Sequence, residues 1–222
     1  VEQIETDEML LSEAIKTAKN AEIAVIFAGL PESFESEGFD RSHMDLPECQ
    51  NRLIEEICKV QEKVVVVLHN GAPVTMPWVD RVKGILELYL GGQAVGEAAV
   101  ELLYGDVNPS GKLAETFPIR LEDNPSYLNF PGTRWEVAYQ EGIYIGYRYY
   151  DSKKMPVLFP FGHGLSYTNF EYDNMKVRVV RDGKACLQET GCYEVFDTDQ
   201  IEVEVTVKNT GKCSGKEAVQ FY

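Results

Sequence analysis

Five consecutive aliphatic residues, Val64-Val65-Val66-Val67-Leu68, constrain the fold of this chain more than any other stretch. A β-branched run with no polar alternation fits a parallel strand covered on both faces. Two further apolar runs, Ile23–Gly29 and Ile85–Leu90, have the length and texture of strands. Parallel strands need crossover connections, and helical patterns lie where those connections should be. Leu10, Leu11, Ala14, Ile15 and Ala18 repeat at helical spacing over residues 7–20, with Asp7 or Thr6 as N-cap. Asp45, Leu46 and Pro47 read as the start of a second helix, with Asp45 as N-cap, running to about Val60 and burying Leu53, Ile54 and Ile57. Gly91-Gly92-Gln93-Ala94-Val95-Gly96-Glu97 opens a third helix, which runs through Leu103. The order helix, strand, helix, strand, strand, helix predicts an α/β domain with a doubly wound parallel sheet.

After Gly105 the texture changes to Pro, Gly, Asn and aromatics, with candidate extended segments at Lys112–Phe117 and Ile143–Tyr150 between long loops. Long loops in a compact domain are more often functional than idle. From Tyr167 the period becomes two, through Phe170, Tyr172, Met175, Val177 and Val179 and again through Ile201, Val203, Val205 and Val207. Asn209-Thr210-Gly211 ends that run, and Ala218–Tyr222 is expected to begin another strand. Two domains are therefore expected, over residues 1–165 and 166–222, the first lacking its first strand and the second an incomplete β-sandwich. Unfilled apolar faces and an open edge at Ala218–Tyr222 predict self-association.

The first strand runs into the acidic segment Pro31-Glu32-Ser33-Phe34-Glu35-Ser36-Glu37-Gly38-Phe39-Asp40-Arg41. A charged, glycine-containing loop at the end of a buried strand is where α/β domains keep their chemistry, although a solvated surface loop has the same composition. The net charge of −15 argues against nucleic acid or an anionic membrane surface as partner, and is compatible with a neutral sugar. No apolar run approaches the roughly 20 residues of a membrane helix. The acidic start Val1-Glu2-Gln3-Ile4-Glu5 lacks the pattern of a secretory signal. Five cysteines cannot all pair internally, and Cys49 and Cys58, nine residues apart, lie on opposite faces of a helix. Reduced thiols in a cytoplasmic protein are the simplest account, with a Cys186–Cys192 bridge as the alternative. No spacing suggests a metal site or a cofactor.

Competing candidates are weaker. Gly91-Gly92-Gln93-Ala94-Val95-Gly96 is not the Gly-x-Gly-x-x-Gly of dinucleotide binding, and close packing of strand on helix explains its glycines better. His69, at a strand end, and His163, between two glycines, fit structural roles better than catalytic ones. Trp135, Tyr139, Tyr144, Tyr147, Tyr149 and Tyr150 could stack on a sugar or fill core. The absence of Gly-x-Ser-x-Gly argues against a serine hydrolase.

Six ordered motifs remain. Glu35-Ser36-Glu37-Gly38-Phe39-Asp40-Arg41 resembles the Glu-Gly-(aromatic)-Asp-Arg segment of family 3 glycoside hydrolases, the β-glucosidase group. The resemblance continues through Asn70-Gly71-Ala72-Pro73-Val74, Leu90-Gly91-Gly92-Gln93, Leu103–Leu113, Tyr144–Tyr150 and Phe159–Thr168. Val207-Lys208-Asn209-Thr210-Gly211 and Gly215–Gln220 resemble that family's fibronectin type III-like domain.

The resemblance implies a three-layer α/β/α sandwich with a mostly parallel sheet, followed by part of a fibronectin III-like β-sandwich. It implies hydrolysis of β-linked oligosaccharides or aryl β-glycosides with retention, by two carboxyl groups and no cofactor or metal. In the family the acid/base is the Glu before the Gly of the first motif, here Glu37, with Glu35 as runner-up because both share a face of an extended segment. A raised pKa suits that role, and Glu32, Glu35 and Asp40 supply like charge to raise it. Arg41 opposes them and is expected to pair with Asp40 or Glu35 to shape the loop. The family's nucleophile is an Asp on a (β/α)8 barrel, and nothing in this sequence matches its motif. The chain is therefore expected to be the acid/base-carrying part of a retaining β-glucosidase or β-xylosidase, inactive alone and partnered by the barrel. A non-catalytic carbohydrate- or protein-binding module is the alternative.

Overall fold

The computed structural model describes residues 6–181 and 195–222, and the backbone alone for 184–186. The proposed Cys186–Cys192 pair lies outside the described residues. The chain forms two compact units, one of residues 1–101 and 112–163, the other of 102–111 and 164–222.

The first unit is built on a parallel three-stranded sheet in the order β1-β2-β3, with β1 at Ala24–Gly29, β2 at Val64–His69 and β3 at Gly84–Glu87. Helix α1 (Glu8–Lys19) precedes β1, and α2 (Glu48–Cys58) forms the crossover from β1 to β2. Strand β2 is central, as its sequence requires: Val64, Val66, Val67 and Leu68 are fully buried. Ile26, Leu46, Ile54, Val74 and Trp78 pack into the same core, and the Trp78 indole donates to Asn51 Oδ1 at 2.9 Å. Edge strand β1 alternates instead, burying Ile26 and Ala28 and exposing Val25 and Phe27.

Local chemistry sets the element ends. Asp7 caps α1 by accepting from the backbone N–H of Met9 at 2.9 Å and Leu10 at 3.1 Å. Leu11 and Ala18 are the buried positions of this helix, whereas Leu10, expected on the same stripe, is exposed. Helix α2 starts at Glu48 with Pro47 at the cap position and no side-chain cap, so Asp45 does not serve as N-cap. Its carboxylate is bonded to the Thr75 hydroxyl instead. At the end of β1 a Cβ on Gly29 would lie 2.1 Å from the His69 carbonyl oxygen, so this position admits glycine alone. Gln50 reinforces the junction by donating to the Gly29 carbonyl and accepting its N–H, both at 2.9 Å.

Strand β3 is shorter than the apolar run Ile85–Leu90 because Tyr89 turns out of it at φ +49°. Helix α3 (Val95–Tyr104) follows. Gly91 is required by packing, since a Cβ there would lie 2.4 Å from Val95 Cγ2, and Gly92 by its φ of +66°. Gly96 faces open space, so the packing argument does not extend to it. Lys112–Phe117 forms no strand: Phe117 makes one isolated antiparallel bridge with Phe159. The expected extended segment Ile143–Tyr150 is also corrected, because Tyr147–Lys153 is a helix, α4. Its aromatic residues favour strand in isolation, but Gly146 at φ +55° turns the chain, Tyr147 stacks on Phe161 at 5.1 Å and Tyr150 is buried.

The second unit contains an antiparallel sheet in the order β5-β4-β6, with β4 at Phe170–Arg181, β5 at Lys184–Cys186 and β6 at Gln200–Asn209. In β4 the apolar positions change phase between Tyr172 and Met175, and the register shifts there, with Asn174 at φ +54°. Tyr172, Val177 and Val179 pair with Val207, Val203 and Ile201 on one face. The other face carries Lys176 and Arg178 against Glu202 and Glu204. Asn108 Oδ1 accepts from Ser166 Oγ at 3.0 Å and from the Tyr167 N–H at 2.7 Å. Ala218–Tyr222, expected as a strand, forms none.

Candidate active site

The carboxyl ends of β1, β2 and β3 deliver three segments to one place: the acidic loop, the turn 70–73, and Glu87 with Tyr89. Ligands of open parallel sheets bind at this end. Two hydrogen bonds pin the acidic loop to the turn. Glu35 Oε2 accepts the backbone N–H of Gly71 at 2.6 Å, and Arg41 Nη2 donates to the Pro73 carbonyl at 3.1 Å. A third contact follows immediately, where the Thr75 N–H donates to the Met44 carbonyl at 2.9 Å.

Between the two pins the chain turns through Gly38 at φ +93°, and Glu37, Gly38, Phe39 and Asp40 are exposed. Glu35 and Arg41 are half-buried. Glu37 is thus held on a short, doubly anchored segment with its side chain in solvent. Asp40, on the same segment, is exposed, and the carboxylates whose charge acts on the Arg41 guanidinium are Glu35 and Glu115. Burial lowers the pKa of Arg41 from its ordinary value, and those two carboxylates counteract the shift.

Two acids absent from the sequence-based site lie beneath the loop. Glu87 Oε2 accepts from Asn70 Nδ2 at 3.2 Å, and its Oε1 accepts the Tyr89 N–H at 2.8 Å. Burial pushes its pKa up to about 7; the two hydrogen bonds oppose the shift, and Glu115 and Glu35 add like-charge pressure. Glu115 is also raised, first by burial and then by Glu35, with Arg41 opposing. Of the acidic loop, Glu35 is the residue whose charge reaches Glu87 and Glu115. Glu87 carried a signal in the sequence: it is the one charged residue in the apolar run Ile85–Leu90. Asn70 is fully buried, and its Nδ2 also donates to the Ala72 carbonyl at 3.0 Å, which fixes the turn. Among the described residues no group of three or more His, Cys, Asp or Glu is placed to hold a metal ion.

The two candidate histidines pack against aromatic rings. His69 stacks on Phe27 at 6.2 Å. His163 stacks on Phe159 at 5.1 Å, and burial lowers its pKa, with Lys112 adding to the shift. The aromatic set divides: Tyr150 is core, whereas Trp135 is 84% and Tyr139 88% exposed.

Comparison with known proteins identifies the family. The model of the family described as Glycosyl hydrolase family 3 C-terminal domain matches residues 2–167. The chain is 58% identical over 216 residues to thermostable beta-glucosidase B of Acetivibrio thermocellus, covering 97% of this chain and 27% of that protein. It is 46% identical over 218 residues to probable beta-glucosidase I of Emericella nidulans, covering 98% of this chain and 25% of that protein. Among solved structures, the family 3 beta-glucosidase of Bifidobacterium adolescentis superposes with a TM-score of 0.80 at 35% identity, over 95% of this chain and 35% of that one. A beta-glucosidase from Streptomyces venezuelae, solved with D-glucose, gives 0.78 at 38% identity, over 94% of this chain and 25% of that one. The chain spans about a quarter of the length of the curated relatives it matches. The ordered motifs, the parallel sheet with its pinned acidic loop, and the match over residues 2–167 lead to one assignment: the chain belongs to glycosyl hydrolase family 3 and carries that family's C-terminal domain.

Proposed function

We propose that this chain supplies the general acid/base of a retaining β-glycosidase that hydrolyses β-linked glucosides, and that Glu37 is that group. The observation that carries the reading is the anchoring of the acidic loop. Glu35 and Arg41 are tied to the 70–73 turn while Glu37, between them, is left exposed at the carboxyl end of the sheet. An acid that must reach a glycosidic oxygen on another domain needs this combination of fixed backbone and free side chain.

The chemistry takes two steps. The carboxylate of an Asp on the barrel domain bonds to the anomeric carbon as the glycosidic C–O bond breaks, and the Glu37 O–H gives its proton to the departing oxygen. The Glu37 carboxylate then takes a proton from water, whose oxygen bonds to the anomeric carbon and releases the Asp. In this reading Glu35 and Arg41 shape the loop, and the chain is inactive without the barrel.

The test is Glu37→Ala in the full-length enzyme, assayed on aryl β-glucosides of graded leaving-group pKa. Turnover should fall about 100-fold or more on poor leaving groups and much less on good ones. Wild-type turnover on every substrate would overturn the assignment.

The exposure of Trp135 and Tyr139 supports a second reading, a carbohydrate-binding module. Calorimetric titration of β-linked oligosaccharides into the chain would show heat beyond dilution at millimolar ligand, and its absence would exclude that reading.

A further inference from the structure

The residues that pin the acidic loop are themselves held from below. The 70–73 turn offers the Gly71 N–H to Glu35 and the Pro73 carbonyl to Arg41, so its shape decides where the Glu37 segment sits. Asn70 sets that shape, because one nitrogen of its buried amide donates both to the Ala72 carbonyl and to Glu87 Oε2. Glu87 is in turn fixed by its own backbone: its second oxygen holds the N–H of Tyr89, a residue in the left-handed region at φ +49°. A continuous line of hydrogen bonds therefore runs from Tyr89 through Glu87, Asn70 and the turn to the two residues that bracket Glu37.

We propose that Glu87 is a positioning residue: through Asn70 and the 70–73 turn it holds the segment bearing Glu37 in the pose from which the leaving group is protonated. The inference rests on the reading of Glu37 given above. The requirement for a carboxyl group is geometric. Two donors, the Tyr89 N–H and Asn70 Nδ2, converge on one side chain, and a carboxyl offers an oxygen to each whether or not it carries a proton. A glutamine has the same shape and a single oxygen. In Glu87→Gln either the Tyr89 bond or the Asn70 bond is lost, or the Asn70 amide turns over and releases Ala72.

The decisive experiment compares Glu87→Gln with wild type and with Glu37→Ala in the full-length enzyme, on a dinitrophenyl β-glucoside and an alkyl β-glucoside. Misplacing an acid weakens proton donation, which matters for the alkyl leaving group and little for dinitrophenolate. Glu87→Gln should lower kcat on the alkyl substrate about tenfold, and on the dinitrophenyl substrate less than about twofold. Asn70→Ala, which removes the donor from the other side of the same bond, should repeat the pattern and carries the test if Glu87→Gln does not fold. Equal losses on both substrates would mark a merely structural role and overturn the proposal, as would no loss on either. If Glu37→Ala shows the leaving-group dependence and the Glu87 and Asn70 variants do not, this inference alone falls. If Glu37→Ala lacks it, the assignment of Glu37 falls first.

Discussion

The Glu35 carboxylate accepts the backbone N–H of Gly71 at 2.6 Å, across 36 positions of sequence, and this bond ties the acidic loop to the end of the central strand. A Cβ on Gly71 would lie 3.1 Å from Glu35 Oε1, so the two residues are already in close contact. Removing the acceptor should release the loop. Glu35→Ala is expected to speed hydrogen exchange at the Gly71 amide and to cost about 1–2 kcal/mol. Unchanged Gly71 exchange would show that the bond does not hold the loop.

Charge should be felt as well as geometry. Glu35 raises the pKa of both Glu87 and Glu115. In Glu35→Gln, carboxyl NMR titration should find both acids titrating at lower pH than in wild type. An unmoved Glu87 would mean that burial and Glu115 account for its shift without Glu35.

The raised pKa of Glu87 also makes stability depend on pH, with a definite sign. Its folded value of about 7 lies above the ordinary 4.5, so the native state holds this proton more tightly than the unfolded chain. The associated stability is fully present below about pH 4.5 and is lost as pH rises to about 7. A neutral amide at this position does not titrate. The Tm of Glu87→Gln minus that of wild type should therefore increase between pH 5 and pH 8, by the equivalent of at most about 3 kcal/mol. A difference independent of pH would contradict the shift.

Gly29 offers a test of the frame that carries the site. A methyl group there would lie 2.1 Å from the His69 carbonyl oxygen, a backbone atom that cannot swing away. Gly29→Ala should cost at least about 3 kcal/mol, read by chemical denaturation. A loss below 1 kcal/mol, by the same scale, would show that β1 and β2 can part at this end without penalty.

Much of this frame was legible in the sequence, for physical reasons that can be traced to particular residues. The unbroken run Val64–Leu68 is typical of a strand covered on both faces, and it is the central one. The acidic loop announced itself because five charged residues follow a buried strand within eleven positions. What stayed hidden is what distant contacts decide. Glu87 depends on Asn70, 17 positions away, and no local pattern joins them. Asp45 has the chemistry of an N-cap but is bonded to Thr75 from the far side of β2. The aromatic stretch before Lys153 favours strand by propensity, and packing on Phe161 makes it helix.

The most direct test of Glu37 as the acid/base is azide rescue. Glu37→Ala in the full-length enzyme, turning over a dinitrophenyl β-glucoside, should be accelerated by added azide. The product should be the β-glycosyl azide, because a small anion can attack the glycosyl-enzyme without needing a general base. Azide acceleration with that β-configured product is the predicted result. Hydrolysis at the wild-type rate, indifferent to azide, would contradict the assignment of Glu37.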